Sequence, residues 1–202
     1  MIIEHLFYSM AIAIIVGMLY YKFTGRDHSW IIILCAWIPD VDTIANSVLN
    51  KFGFVVLFEG QPIHHGAFHT IAMMVIFAIF MAFLLHPFGI RFIDSLFFAT
   101  IGFGAHLFED ALVYKVGYMY LWPFVQENMG IGILPNIISE ENYIKDFFRV
   151  ANTEVLIIGI AVLIAAMIIR TYVEGTTWIR WYLPESIYIK IFGQTGRLGS
   201  RV

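Results

Sequence analysis

Four long apolar runs constrain this chain more than anything else in it. They are roughly Leu6–Tyr21, Thr70–Leu85, Phe92–Leu107 and Val155–Ile169. Each holds about 16 residues and, with its flanks, can cross a hydrocarbon core about 30 Å thick as a helix. Inside lipid the backbone polar groups of a segment must be satisfied internally, which favours helices. Composition agrees, since 60% of the 202 residues are hydrophobic, against about 45–50% in soluble domains. The reading is a single integral membrane domain of the all-α class, a polytopic transmembrane helical bundle.

A fifth run, Trp30–Ile38, is too short to cross alone, and Pro39 should end it, because proline disfavours helix in the residue before it. At about 1.5 Å per residue, a helix begun near His28 reaches only part of the way across, so Asp40 should lie within the membrane profile. The expectation is five membrane-entering helices with the second one short. Residues 1–175 would form the bundle. Residues 176–193, aromatic and basic by turns, would form an interfacial helix, and 194–202 a disordered tail. The opening MIIEHLF carries Glu4 and no basic stretch, so the first run should remain as a helix rather than serve as a signal peptide. Cys35 has no intrachain partner and reads as a small core residue. A net charge of −3 with no basic stripe gives nucleic acid nothing to bind. Nothing in the pattern points to a particular oligomeric state.

If the chain crosses at each run, one face receives Lys22, Arg26, Arg91, Arg170, Arg180, Lys190, Arg197 and Arg201, and the other Lys51, Lys115, Lys145 and Arg149. Basic loops stay in the cytoplasm, so the second face should be extracytoplasmic. That face also receives every acid–histidine cluster: His5, then Asp40 and Asp42, then His64, His65 and His69, then His106 with Asp110. Counting from Lys22 to His5, His86 to His69 and Arg91 to His106 gives rises of about 22–26 Å. Three separate helices therefore carry histidines to one height, just below the outer boundary. Ionisable groups at that depth are costly and are usually paired or coordinated.

Each cluster has two readings. His106 and Asp110 stand four apart and share a helix face, so they either ligate metal or hydrogen-bond to each other. Asp40 and Asp42 follow a helix end. They either bind metal, with one acting as general base, or cap the next helix. Gly66 puts His64 and His65 on a turn with His69 opening the third helix; in a continuous helix His65 and His69 would share a face. His5 alone is weak, and His28 and His86 lie on the opposite face. Together these groups offer more nitrogen and oxygen donors than one four-coordinate ion needs, and no thiolate. Such a set suits zinc first, with manganese or iron also compatible, and has room for two or three ions. Paired ions can clamp the attacking and leaving oxygens of a phosphoester.

The ordered pieces, early His5, P-D-x-D at Pro39–Asp42, H-x-G-x-x-H at His64–His69, H-x-x-x-D at His106–Asp110 and L-W-P-F at Leu121–Phe124, resemble the YdjM (LexA-binding, inner-membrane) type of membrane-bound metal-dependent hydrolase. The resemblance covers roughly residues 5–124. It implies His64 and His69 as ligands. His65 stands where that pattern has an arginine, Phe68 where it has a threonine, and Ala-Leu-Val-Tyr replaces a threonine after Asp110. The ligand order is also similar to part of the zinc-dependent phospholipase C pattern. The two resemblances together imply a phosphoesterase acting on a phospholipid-like substrate at the outer leaflet. Asp42 would be ligand or base, and His65 a phosphate contact in the arginine's place. The alternative is a metal-ion transporter or a metal-binding membrane protein without hydrolase activity. Against the transporter, the cytoplasmic halves of the runs are almost purely apolar, whereas a transporter needs ionisable groups through the full depth.

Overall fold

The computed structural model describes residues 2–58, 61–63, 66–133, 153–183 and 185–192. Helix α1 spans Ile2–Thr24, α2 Trp30–Cys35, α3 Val41–Lys51, α4 Ile71–Leu85, α5 Phe92–Val113, α6 Thr153–Glu174 and α7 Glu185–Phe192. Four helical stretches, Ile3–Thr24, Ile71–Phe88, Phe92–Val113 and Thr153–Trp181, are long and apolar enough to cross a membrane. The four long apolar runs of the sequence coincide with these four, apart from Thr70, which caps its helix. Among the described residues the only strand ladder is the two-residue pairing of Leu57–Phe58 with Gln61–Pro62.

The outer surface identifies the solvent. On α4, Ile71, Val75, Ile76, Ile79, Phe80, Phe83 and Leu84 are exposed, and on α6 Ile157, Ile158, Val162, Ile164 and Ile168. A helix apolar on its outward face as well as its inward one belongs in lipid. The inward faces of α1, α2, α4 and α5 meet in a core of Ala13, Ile31, Ile32, Cys35, Ala78, Met81, Phe98 and Ala99. Cys35 is buried there as a free thiol.

Helix α2 is six residues long, about 9 Å, and it stops at Cys35, one turn before Pro39. Single-turn bonds from Ile38 N to Cys35 O and from Val41 N to Ile38 O carry the chain round to α3. The second entering helix is thus a partial one, as the proline predicts, and its end lies deep in the bundle. Gly102 of α5 lets it come so close. A Cβ there would stand 2.8 Å from the Cys35 Cβ and 2.9 Å from the Ile32 carbonyl oxygen.

α1 and α6 run parallel. The Tyr8 hydroxyl donates to the Val155 carbonyl near one end, and Arg170 donates to the Ile14 carbonyl toward the other. The segment after α6 departs from the single interfacial helix expected over 176–193. It continues as a 3-10 turn, Gly175–Trp181, that folds Trp178 back into the core beside Ala11, Ile14, Leu163 and Ala166. Only α7 is a separate helix. The indole of Trp178 and the Arg170 guanidinium lie 5.3 Å apart, so aromatic packing holds this segment inward. The tail 194–202 lies outside the described residues.

Candidate metal centre

The short second helix places the site. Its chain end leaves the Ala36 carbonyl free inside the bundle, and the His106 Nδ1–H of α5 donates to it at 2.7 Å. His106 sits one turn beyond Gly102, where α2 and α5 touch. That bond assigns the proton to Nδ1 and leaves Nε2 as an acceptor facing inward. Glu109, also on α5, does the same for His5 of α1: Nδ1 and Glu109 Oε2 lie 2.7 Å apart. The two imidazoles stack with centroids 4.0 Å apart. His69 arrives from the loop before α4. Thr70 caps that helix, its hydroxyl accepting from Met73 N at 3.1 Å. Thr70 is thus the cap and Ile71 the first helical residue, so His69 stands just outside the helix.

The donor atoms then converge. His69 Nε2 lies 3.3 Å from His106 Nε2 and 3.1 Å from Asp110 Oδ2. His106 Nε2 is 3.4 Å from Asp110 Oδ2. Asp40 Oδ1 lies 3.5 Å from His69 Nε2 and 3.6 Å from His106 Nε2. Four ligands at about 2.0–2.1 Å around a tetrahedral ion stand about 3.3 Å apart. These five separations match the edges of that tetrahedron, so the residues fit a zinc-like ion. On its other side Asp110 turns Oδ1 toward His5 Nε2, at 3.5 Å. Two overlapping triads result, His5–Asp40–His106 and His69–His106–Asp110, each with its donor atoms within 4.8 Å of one another. All five residues are at most 2% exposed, so bulk water does not separate them.

Asp42 stands apart from these donors. Its Oδ2 accepts from Gly66 N at 2.9 Å and Phe68 N at 3.3 Å, and lies 3.6 Å from His69 Nδ1. It braces the loop that delivers His69, on the ring edge opposite the donor cluster. Asp40 occupies the N-cap position of α3 but makes no side-chain cap bond. The two acids expected as a pair of ligands or caps thus divide: Asp40 faces the donor cluster and Asp42 the loop. Gly66 makes the loop possible. Its φ of +100° favours glycine, and a Cβ there would meet the Tyr118 ring at 2.7 Å. Tyr118 in turn covers the His69 imidazole, with centroids 4.2 Å apart. His64 and His65 lie outside the described residues.

Electrostatics at His69 follow from this packing. Burial alone would lower its pKa, but hydrogen bonds with Asp110, Asp40 and Asp42 outweigh burial and hold it well above its ordinary value. Sequence reasoning missed Glu109, which is buried and bonded to His5. It neighbours Asp110, so periodicity along α5 points it to another helix face, and only the fold brings α1 against that face. The Ala36 carbonyl carried no sequence signal at all.

A family model described as YdjM inner membrane protein matches residues 1–178. The match covers most of the chain, which therefore belongs to this family and is a multi-pass membrane protein. No curated protein and no solved structure matches it.

Proposed function

We propose that this member of the YdjM inner membrane protein family is a membrane-embedded, metal-dependent phosphoesterase acting on a phospholipid-like substrate at the outer leaflet. The observation that carries the reading is the spacing of His69 Nε2, His106 Nε2, Asp110 Oδ2 and Asp40 Oδ1, 3.1–3.6 Å in every measured pair. Those four atoms would hold a divalent ion, zinc by donor type, with His5 and the second oxygen of Asp110 facing a neighbouring ion. When bound, such ions supply Lewis acidity toward a phosphoryl oxygen and toward water. The chain supplies the rest. Ala36 and Glu109 fix the tautomers of His106 and His5, so neither ring must reorient when the site is used. Asp42, with its Oδ2 on two backbone amides, acts as a positioning residue for His69 rather than as a proton acceptor.

The depth of the site favours a lipid substrate. Its ligands come from the outer ends of α1, α4 and α5, near headgroup linkages. Leu121 and Phe124, in the segment after α5, are exposed apolar side chains that an acyl or isoprenoid chain can lie against. The extracytoplasmic orientation rests on the eight-to-four excess of Lys and Arg toward the opposite face.

The test uses the full chain in lipid nanodiscs with a panel of lipid phosphates. We expect chelator-sensitive release of a headgroup or inorganic phosphate, lost in Asp40→Asn and His69→Ala. A zinc-loaded protein that hydrolyses none of the panel yet carries zinc across liposome membranes would overturn the reading in favour of transport.

A further inference from the structure

Tyr120 carries a polar atom with no evident use in the fold. Its backbone is fixed: the carbonyl accepts from Ile71 N at 2.8 Å, tying the residue to the start of α4, and its N–H donates to Tyr118 O. Its ring stands edge-on to Tyr118, which covers His69. Gly117 leaves room for the phenol, because a Cβ there would be only 3.1 Å from the Tyr120 oxygen. Among the described residues, that buried oxygen has no hydrogen-bond partner. A buried hydroxyl without a partner is destabilising, and tyrosine hydroxyls in cores normally find one. Burial first, then the nearby charges of Asp110 and Tyr114, push its pKa upward, so the phenol keeps its proton and has an O–H to donate.

We propose that Tyr120 is a substrate-contacting residue, its phenol donating a hydrogen bond to a non-bridging phosphoryl oxygen of a phosphate ester held at the His69–His106–Asp110–Asp40 centre. The proposal rests on the phosphoesterase reading above and adds a residue that the metal-ligand pattern does not contain. A phosphoryl group is the right acceptor chemically. It offers several strong oxygen acceptors, and its negative charge can approach Asp110 only while a cation holds both. The unpartnered hydroxyl is then a donor arranged in advance for a ligand.

The experiment compares the wild type with Tyr120→Phe, both as full-length protein in detergent and loaded with zinc. Inorganic phosphate binding is measured by calorimetry, alongside zinc content and thermal unfolding. We expect unchanged zinc content, an unfolding temperature equal to or above wild type, and phosphate affinity about tenfold weaker, as a lost bond to a charged acceptor implies. Equal phosphate affinity in the two proteins would overturn the role of Tyr120 and leave the phosphoesterase reading standing. So would a fall in unfolding temperature without loss of phosphate affinity, which would mark the hydroxyl as structural. A zinc-loaded wild type that binds no phosphate would overturn the phosphoesterase reading and this role with it.

Discussion

At the end of the bundle that the orientation proposed above makes the inner one, Asp27 and Asp94 are buried against guanidinium groups. Arg170 donates to Asp27 Oδ2 at 2.6 Å, while the Ser29 amide and hydroxyl satisfy Oδ1. Arg26 holds Asp94 through two nitrogens, at 2.7 and 3.2 Å, and Tyr20 adds a third bond. At the outer end, Asp40 and Asp110 are equally buried but face imidazole Nε2 atoms at 3.1–3.6 Å. The inner acids have fork-shaped donors that complete them, and such pairs lock elements together. The outer acids stand at the spacing of ligands around a shared ion. Burial of a carboxylate alone therefore does not mark a site; the chemistry of its partner and the distance to it do.

Removing one outer donor should have the largest effect. His106→Ala or Asp110→Ala should abolish stoichiometric zinc binding. It should also abolish the zinc-dependent stabilisation against thermal unfolding, about 4 kcal/mol for the wild type at a thousandfold excess over Kd. An undiminished zinc shift in both variants would dissolve the distinction between the ends. At the inner end, Asp27→Ala leaves Arg170 buried without its main partner. It should cost about 3–5 kcal/mol in denaturant unfolding while leaving zinc stoichiometry unchanged. Loss of zinc in that variant, under conditions where it is folded, would mean that the two ends are not separable.

Finer changes sharpen the contrast. Glu109→Gln should weaken zinc affinity about 10–100-fold, the usual effect of removing the carboxylate behind a ligating histidine. Affinity unchanged in a zinc titration would show that His5 stands outside the metal set. The pH dependence originates at His69. With its pKa raised in the folded, metal-free protein, its contribution to stability is complete below the ordinary value of about 6.5. That contribution is lost as pH rises through the raised value. Zinc must displace the same proton, so its apparent affinity should climb with pH by about tenfold per unit for one proton released. A pH-independent affinity would refute the competition. Smallest of all, Thr70→Ala removes the α4 cap and should cost about 1 kcal/mol, read as a small fall in unfolding temperature with zinc still bound.

Local signals were legible. Run length placed four crossing helices, and Pro39 correctly shortened the second. The height of His5, His69 and His106 along their helices anticipated their convergence. Juxtapositions between distant segments were not legible. Arg170 reads as a loop cation because it follows an apolar run, yet it is fully buried, because Asp27 from the α1–α2 turn reaches it. Asp42 reads as a ligand because it lies beside Asp40, but α3 begins between them and turns the two side chains toward different partners. Gly102 reads as an ordinary helix glycine until α2 is seen against it.

The most direct test of the central claim is zinc stoichiometry on purified full-length protein by elemental analysis, with anomalous scattering to place the ion. At least one zinc per chain is expected, centred among His69 Nε2, His106 Nε2, Asp110 and Asp40. A folded protein that takes up no zinc, manganese or iron at these atoms would contradict it.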